Sequence, residues 1–160
     1  MRYLLDGQET ERPLFRLLEA NDYDDWLPFF YNEQAINFVG LDAQKTPEEL
    51  CKFWMEKCQN RYEEDRGGMN VLIDKETGKM VGQCGLLLQQ VEGDEFLEIG
   101  YSLLPDYWGN GYATEAAIKL KSWGFQNTDW PQLISIIHTE NIGSENVAKK
   151  KWNVKLEIST

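Results

Sequence analysis

EIGYSLLPDYWGNGYATEAA, residues 98–117, decides how the rest of the chain is read. Its first part is a strand. Alternation puts Glu98, Gly100 and Ser102 on one face, and Leu97, Ile99, Tyr101 and Leu103 on the other. Its second part, Tyr107-Trp108-Gly109-Asn110-Gly111-Tyr112-Ala113-Thr114-Glu115-Ala116, is a glycine loop that opens a helix. Glycines allow positive φ and let neighbouring N–H groups converge on an oxyanion. The helix behind adds the positive end of its dipole, so a diphosphate is the natural guest. The loop lacks the Lys of GxxxxGK(S/T), and Thr114 stands at the third glycine of GxGxxG, so it is neither a P-loop nor a dinucleotide fingerprint. On spacing alone it is either a diphosphate cradle or a strand-to-helix turn that uses glycine for geometry only.

Upstream, Met80 to Leu88 and Asn70 to Asp74 read as a hairpin around the Glu76-Thr77-Gly78 turn, and VEGD (91–94) joins it to the strand 95–104. Thr46-Pro47-Glu48-Glu49 predicts a helix start: Thr46 caps, Pro47 takes the first position and Glu49 closes a capping box. Leu50, Phe53, Trp54 and Cys58 follow at helical spacing. Asn21-Asp22 predicts the cap of an earlier helix carrying Tyr23, Trp26, Leu27 and Phe30, interrupted by Pro28. Pro13 to Leu18 reads as the first strand. Downstream, Leu133 to His138 is a strand, Ser144 to Lys151 a short helix, and Val154 to Ile158 the start of a last strand. The order predicts one mixed α/β domain over residues 1–160.

Composition narrows the function. Lys and Arg number 16 against 27 Asp and Glu, for a net charge of -11. Such a field repels a phosphate backbone, which argues against nucleic-acid binding, and mildly favours cationic amines. Cys51, Cys58 and Cys84 form no disulfide framework, and Cys51 and Cys58 are wrongly spaced for a zinc knuckle, with His138 the single, distant histidine. No metal site is predicted. The expectation is free thiols in a reducing cytoplasm, no signal peptide and no membrane segment.

The segment 98–117 resembles the acetyl-CoA-binding core of the GNAT superfamily of N-acetyltransferases, in the branch of the ribosomal-protein N-terminal (Rim-type) enzymes. That family's loop reads Q/R-x-x-G-x-G/A; here Gly111 and Ala113 hold the two small positions and Trp108 the first. His138-Thr139-Glu140-Asn141-Ile142-Gly143-Ser144, with Val147, Ala148 and Lys150, resembles the family's second cofactor-contacting element. The resemblance spans roughly residues 10 to 155. It implies a mixed, mostly antiparallel α/β (α+β) sheet flanked by helices, with a splayed strand pair holding CoA.

The same resemblance implies site residues. Backbone N–H groups of Trp108, Gly109, Asn110, Gly111, Tyr112 and Ala113, with Thr114 beside them, hold the CoA pyrophosphate. The strand end at Leu103 and Leu104 pairs with the pantetheine arm, and Asn141 hydrogen-bonds that arm. Ser144 protonates the departing thiolate, and Glu98 is the general base. A partly buried carboxylate with a raised pKa suits that task, working through water. A backbone N–H near Leu103 is the simplest donor to the tetrahedral oxyanion. Transfer is direct, in a ternary complex, and the cysteines are not nucleophiles. Trp26, Tyr101 and His138 are expected to face the acceptor, with Trp54 on a second cleft-walling helix. Lys149, Lys150 and Lys151 either match the helix dipole or contact the 3′-phosphate of CoA.

Two departures are visible. Ala148 replaces the tyrosine that many relatives use as thiolate acid, leaving Ser144 or water. The short tail predicts a C-terminal strand pair that is incomplete, or completed by another chain in a homodimer. The expected partners are acetyl-CoA and an amine acceptor, first a protein N-terminus and second a small amine (a polyamine, an amino acid or an aminoglycoside-like compound). A CoA-binding module with little or no transfer activity is the third expectation.

Overall fold

The computed structural model describes residues 2–42, 44–138 and 154–159, with backbone only for 91, 136–138 and 154–159. Six strands form one sheet in the order β1 (Pro13–Leu17), β2 (Gly67–Asp74), β3 (Met80–Val91), β4 (Asp94–Leu103), β5 (Leu133–His138) and β6 (Val154–Ser159). All neighbours are antiparallel except β4 and β5, which run parallel. A parallel pair needs a crossover, and α4 (Tyr112–Asn127) supplies it. The last strand pairs with β5 along all six of its residues, so β5 takes its antiparallel partner from its own chain.

Helices cover both faces. On one face, Ala116 and Leu120 of α4 pack with Phe15, Leu72, Leu86, Leu97, Ile99, Leu103 and Leu133. On the other, α1 (Tyr23–Trp26), α2 (Glu33–Phe38) and α3 (Pro47–Glu63) bury Trp26, Phe29, Phe30, Ile36, Leu50 and Cys51 against Met69, Val71 and Met80. The period-2 alternation of β4 assigns its faces: Leu97, Ile99 and Leu103 belong to the α4 side. Glu98 and Gly100 lie on the α3 side, opposite Leu87 and Gly85 of β3.

Helix α3 starts as its sequence predicts. Thr46 Oγ1 accepts from the Glu49 N–H at 3.1 Å, and Glu49 Oε1 accepts from the Thr46 N–H at 3.0 Å. Helix α1 does not. Asp22 gives it no side-chain cap. Instead the Asp22 carboxylate takes two bonds from Arg16 at 2.9 and 2.8 Å and one from the Glu19 N–H at 2.8 Å. A guanidinium pair to a nearly buried carboxylate outcompetes a neutral cap bond. Pro28 converts the following turn to a 3₁₀ helix over Leu27–Tyr31.

Candidate active site

The sheet opens between β4 and β5. They pair only at Leu97 with Leu133 and Glu98 with Ile134, after which they part. The splay sits at the foot of a cleft of about 750 Å³ that reaches both sides of the sheet. Gly109, Gly111, Tyr112, Ala113 and Thr114 line it on the α4 side; Phe29, Phe53, Trp54, Lys57, Cys58 and Arg61 line it on the α3 side.

The register determines what β4 offers to the gap. The Leu104 N–H donates to the Val81 carbonyl at 2.9 Å. In an antiparallel ladder the bonded and non-bonded pairs alternate. The N–H groups of Tyr101 and Leu103, paired with Cys84 and Gly82, therefore point away from β3 and into the gap. The Leu103 carbonyl is already taken by Trp108 Nε1 at 2.9 Å. Leu104 differs from expectation. Its N–H belongs to the sheet, and its side chain packs on the α1–α3 core rather than lining the cleft. An added strand would find its partners at Tyr101 and Leu103.

The glycine loop is bent by two left-handed residues, Gly109 at φ 76° and Gly111 at φ 84°. Gly111 precedes the first turn of α4, and the Glu115 N–H makes the first intrahelical bond, to its carbonyl, at 3.0 Å. The N–H groups of Tyr112, Ala113 and Thr114 are thus left at the helix start beside the cleft. The Trp108 N–H is not among them: it closes a 3₁₀ turn onto the Pro105 carbonyl at 3.1 Å. Trp108 serves the loop through its ring, which meets Phe38 at 5.1 Å and bonds Leu103. Asn110 does not line the cleft, and its carbonyl turns outward to Arg12.

That arginine, unsuspected from the sequence, clamps the loop from behind. Arg12 Nη1 donates to the Asn110 carbonyl at 2.9 Å, and Nε donates to Glu115 Oε1 at 2.8 Å. The guanidinium carbon lies 4.0 Å from the Tyr112 ring centre. Glu115 also accepts from the Arg12 N–H at 3.0 Å and from the Thr10 hydroxyl. Burial pushes the Glu115 carboxyl upward, but these donors outweigh it and hold it below the usual glutamate range.

On the α3 side, Glu98 is half-buried and accepts from Gln89 Nε2 at 2.9 Å. Gln89 Oε1 in turn accepts from Arg61 Nη2 at 3.0 Å. Arg61 is buried, and its Nη1 donates to the Arg66 and Leu88 carbonyls. The space beside Glu98 is narrower than two small neighbours suggest, because Leu87 Cδ1 lies 2.7 Å from where a Cβ on Gly100 would stand.

The aromatic positions separate. Trp54 lines the cleft and donates from Nε1 to Gln83 Oε1 at 2.9 Å. Tyr101 lines it too and is 46% exposed. Trp26 does not face the acceptor. It is 0% exposed and stacks on Phe29 at 4.6 Å, with Phe30 edge-on, so it is a core residue. His138 ends β5 opposite Val154. Asn141, Ser144, Ala148 and Lys149 to Lys151 lie outside the described residues. Among those described, no three His, Cys, Asp or Glu side chains group to hold a metal, and no helix is long and apolar enough to cross a membrane.

A sheet opened between parallel strands beside a glycine-bent helix start is the architecture of an acetyl-CoA-dependent N-acetyltransferase. The chain belongs to the GNAT family: residues 12–151 match the Acetyltransferase (GNAT) domain. It is 29% identical over 163 residues to the uncharacterized protein YkkB of Bacillus subtilis (strain 168), covering 93% of this chain and 91% of YkkB. It is 26% identical over 144 residues to the uncharacterized N-acetyltransferase YoaA of the same organism, covering 89% of this chain and 79% of YoaA. An acetyltransferase of Agrobacterium tumefaciens (str. C58) has the same fold, with a TM-score of 0.71, 24% identity and coverage of 95% and 85%. So do spermidine N-acetyltransferase of Vibrio cholerae, in complex with CoA and spermine (0.64, 13%, 89% and 81%), and ribosomal-protein-S5-alanine acetyltransferase of Vibrio fischeri (0.57, 17%, 89% and 78%).

Proposed function

We propose that residues 1–160 form one acetyltransferase domain that moves an acetyl group from acetyl-CoA to a protein N-terminal amine, by direct transfer in a ternary complex. The observation that carries this reading is the position of Glu98 at the foot of the splay, on the α3 side of the sheet and away from the glycine loop. The glycine loop and α4 N–H groups would receive the pyrophosphate from the other side. The Tyr101 and Leu103 N–H groups would pair with the pantetheine arm.

Glu98 would draw the proton from the acceptor ammonium, directly or through water, so that the nitrogen lone pair can attack the thioester carbonyl. The Leu103 N–H would stabilise the oxyanion that forms. As the C–S bond breaks, the thiolate takes a proton from Ser144 or water, and the second proton shed by the acceptor nitrogen replaces the one donated. Asn141 and His138 keep their proposed roles toward the pantetheine arm and the acceptor. Likeness to ribosomal-protein acetyltransferases supports a protein acceptor; likeness to the spermidine enzyme supports the second reading, a small amine.

The test is CoA release with mass detection of products, over peptides with free N-termini and a panel of small amines. Glu98→Gln should lower turnover at least 100-fold, as loss of a general base does, while acetyl-CoA affinity stays within about twofold, a change below 0.5 kcal/mol. An unchanged pH-rate profile in Glu98→Gln would remove Glu98 from the mechanism.

A further inference from the structure

Resting on the reading of a protein N-terminal acceptor, we infer that Phe53 and Lys57 select it: a polypeptide start with an apolar first side chain followed at once by acidic residues. The chain as a whole carries a net charge of -11. The described lining of its cleft does not share that sign. Among the described residues, the charged side chains lining it are Lys57, Arg61 and Glu98, two cations against one carboxylate.

The two cations differ. Arg61 is buried, and both its Nη atoms donate to protein acceptors: the Arg66 and Leu88 carbonyls and Gln89. Lys57 is exposed and has no ion-pair partner among the described residues, although acidic groups outnumber basic ones in the chain. Among the described residues it is the cleft cation left to meet an anion brought by the acceptor. A polyamine would instead bring several positive charges to a site with one carboxylate.

The apolar half of the preference comes from the same helix. Phe53 lies one turn before Lys57, so the two share a face of α3. Phe53 lines the α3 side of the cleft and is 49% exposed, while Tyr101, on the α4 face of β4, is 46% exposed. The exposed half of the Phe53 ring is apolar surface that an occupant running along α3, as a polypeptide does, would cover. In an extended peptide successive residues are about 3.3 Å apart, and Cβ atoms one helical turn apart are about 5–6 Å apart. The first side chain can therefore rest on Phe53 while the second or third residue reaches Lys57.

The test uses the full chain with saturating acetyl-CoA and four acceptors: equal-length peptides beginning Leu-Glu-Glu, Leu-Lys-Lys and Gly-Glu-Glu, and spermidine. Leu-Glu-Glu should exceed Leu-Lys-Lys in kcat/KM by about tenfold at low ionic strength, the effect of one partly exposed ion pair replaced by a repulsion. Lys57→Glu should reverse that order. Lys52→Glu, the same charge change on an exposed residue outside the cleft, should not. Phe53→Ala should raise KM for Leu-Glu-Glu and leave Gly-Glu-Glu unaltered. Equal use of acidic and basic peptides, unmoved by Lys57→Glu, would overturn the selection while leaving N-terminal acetylation standing. Spermidine used with no peptide acetylated would overturn both, as would acetyl-CoA binding without transfer to any of the four.

Discussion

Gln89 stands between Glu98 and Arg61, donating from Nε2 to the carboxylate at 2.9 Å while its Oε1 accepts from the guanidinium at 3.0 Å. Arg61 has no acceptor of its own to offer, so Gln89 must present its oxygen to Arg61 and its NH₂ to Glu98. The buried cation thereby orients the amide, and the amide orients the carboxylate.

Removing that donor should shift the pH dependence of the reaction. A hydrogen bond to the ionised carboxylate favours the charged form, so its loss raises the Glu98 pKa. With Glu98 as base, Gln89→Leu should move the acidic limb of kcat/KM about one pH unit to higher pH, the effect of a charged hydrogen bond worth about 1.5 kcal/mol. A limb that stays put would mean that Gln89 does not tune the base.

The Arg12–Glu115 clamp should fail in acid. The folded Glu115 carboxyl is held below its unfolded value by the Thr10 and Arg12 donors, against its burial. The stabilisation is therefore complete above the unfolded pKa, about 4.3, and is lost as pH falls through the lower folded one. Glu115→Gln should cost about 1 kcal/mol at pH 7, and the difference from the parent should shrink below pH 4. Urea unfolding across that range measures it.

The two loop glycines should respond unequally to alanine. Both carry positive φ, which costs a side-chain-bearing residue about 1–2 kcal/mol. At Gly111 the new Cβ also lies 3.3 Å from Arg12 Nη2, whereas at Gly109 nothing lies within 4 Å. Gly111→Ala should thus raise KM for acetyl-CoA about tenfold, equivalent to roughly 1.4 kcal/mol, and Gly109→Ala by less. Equal effects would show that the Arg12 contact does not hold the loop.

The thiols should be inert in the native chain. Cys51, Cys58 and Cys84 are all buried. Burial pushes Cys51 and Cys58 up to about 12, and Cys84 upward as well. Although Cys58 lines the cleft, iodoacetamide at pH 8 should leave transfer intact, and Ellman's reagent should find three thiols only after denaturation. Rapid native modification of one thiol with loss of transfer would return Cys58 to consideration.

Much of the fold was legible because its signals are local. The Thr46-to-Glu49 capping box, the alternation from Leu97 to Leu103 and the glycines before Tyr112 each act within a few residues. Packing decided between Trp26 and Trp54, both at helical spacing, sending the first into the core and the second to the cleft. Asp22, a good cap on its own, was claimed by Arg16.

The sequence by itself determined the strand-loop-helix that leaves N–H groups free at the helix start beside the cleft, because φ preference and side-chain period are properties of neighbouring residues. Tertiary structure alone decided what stands around it: Arg12 on Glu115 across 103 positions, Gln89 between Arg61 and Glu98, and Lys57 on the lining of the cleft. Those pairings follow from sheet order and from a splay that leaves β4 and β5 joined at two residues. Long-range closure of that kind is set by the packing of whole elements, and no short window of sequence carries its register.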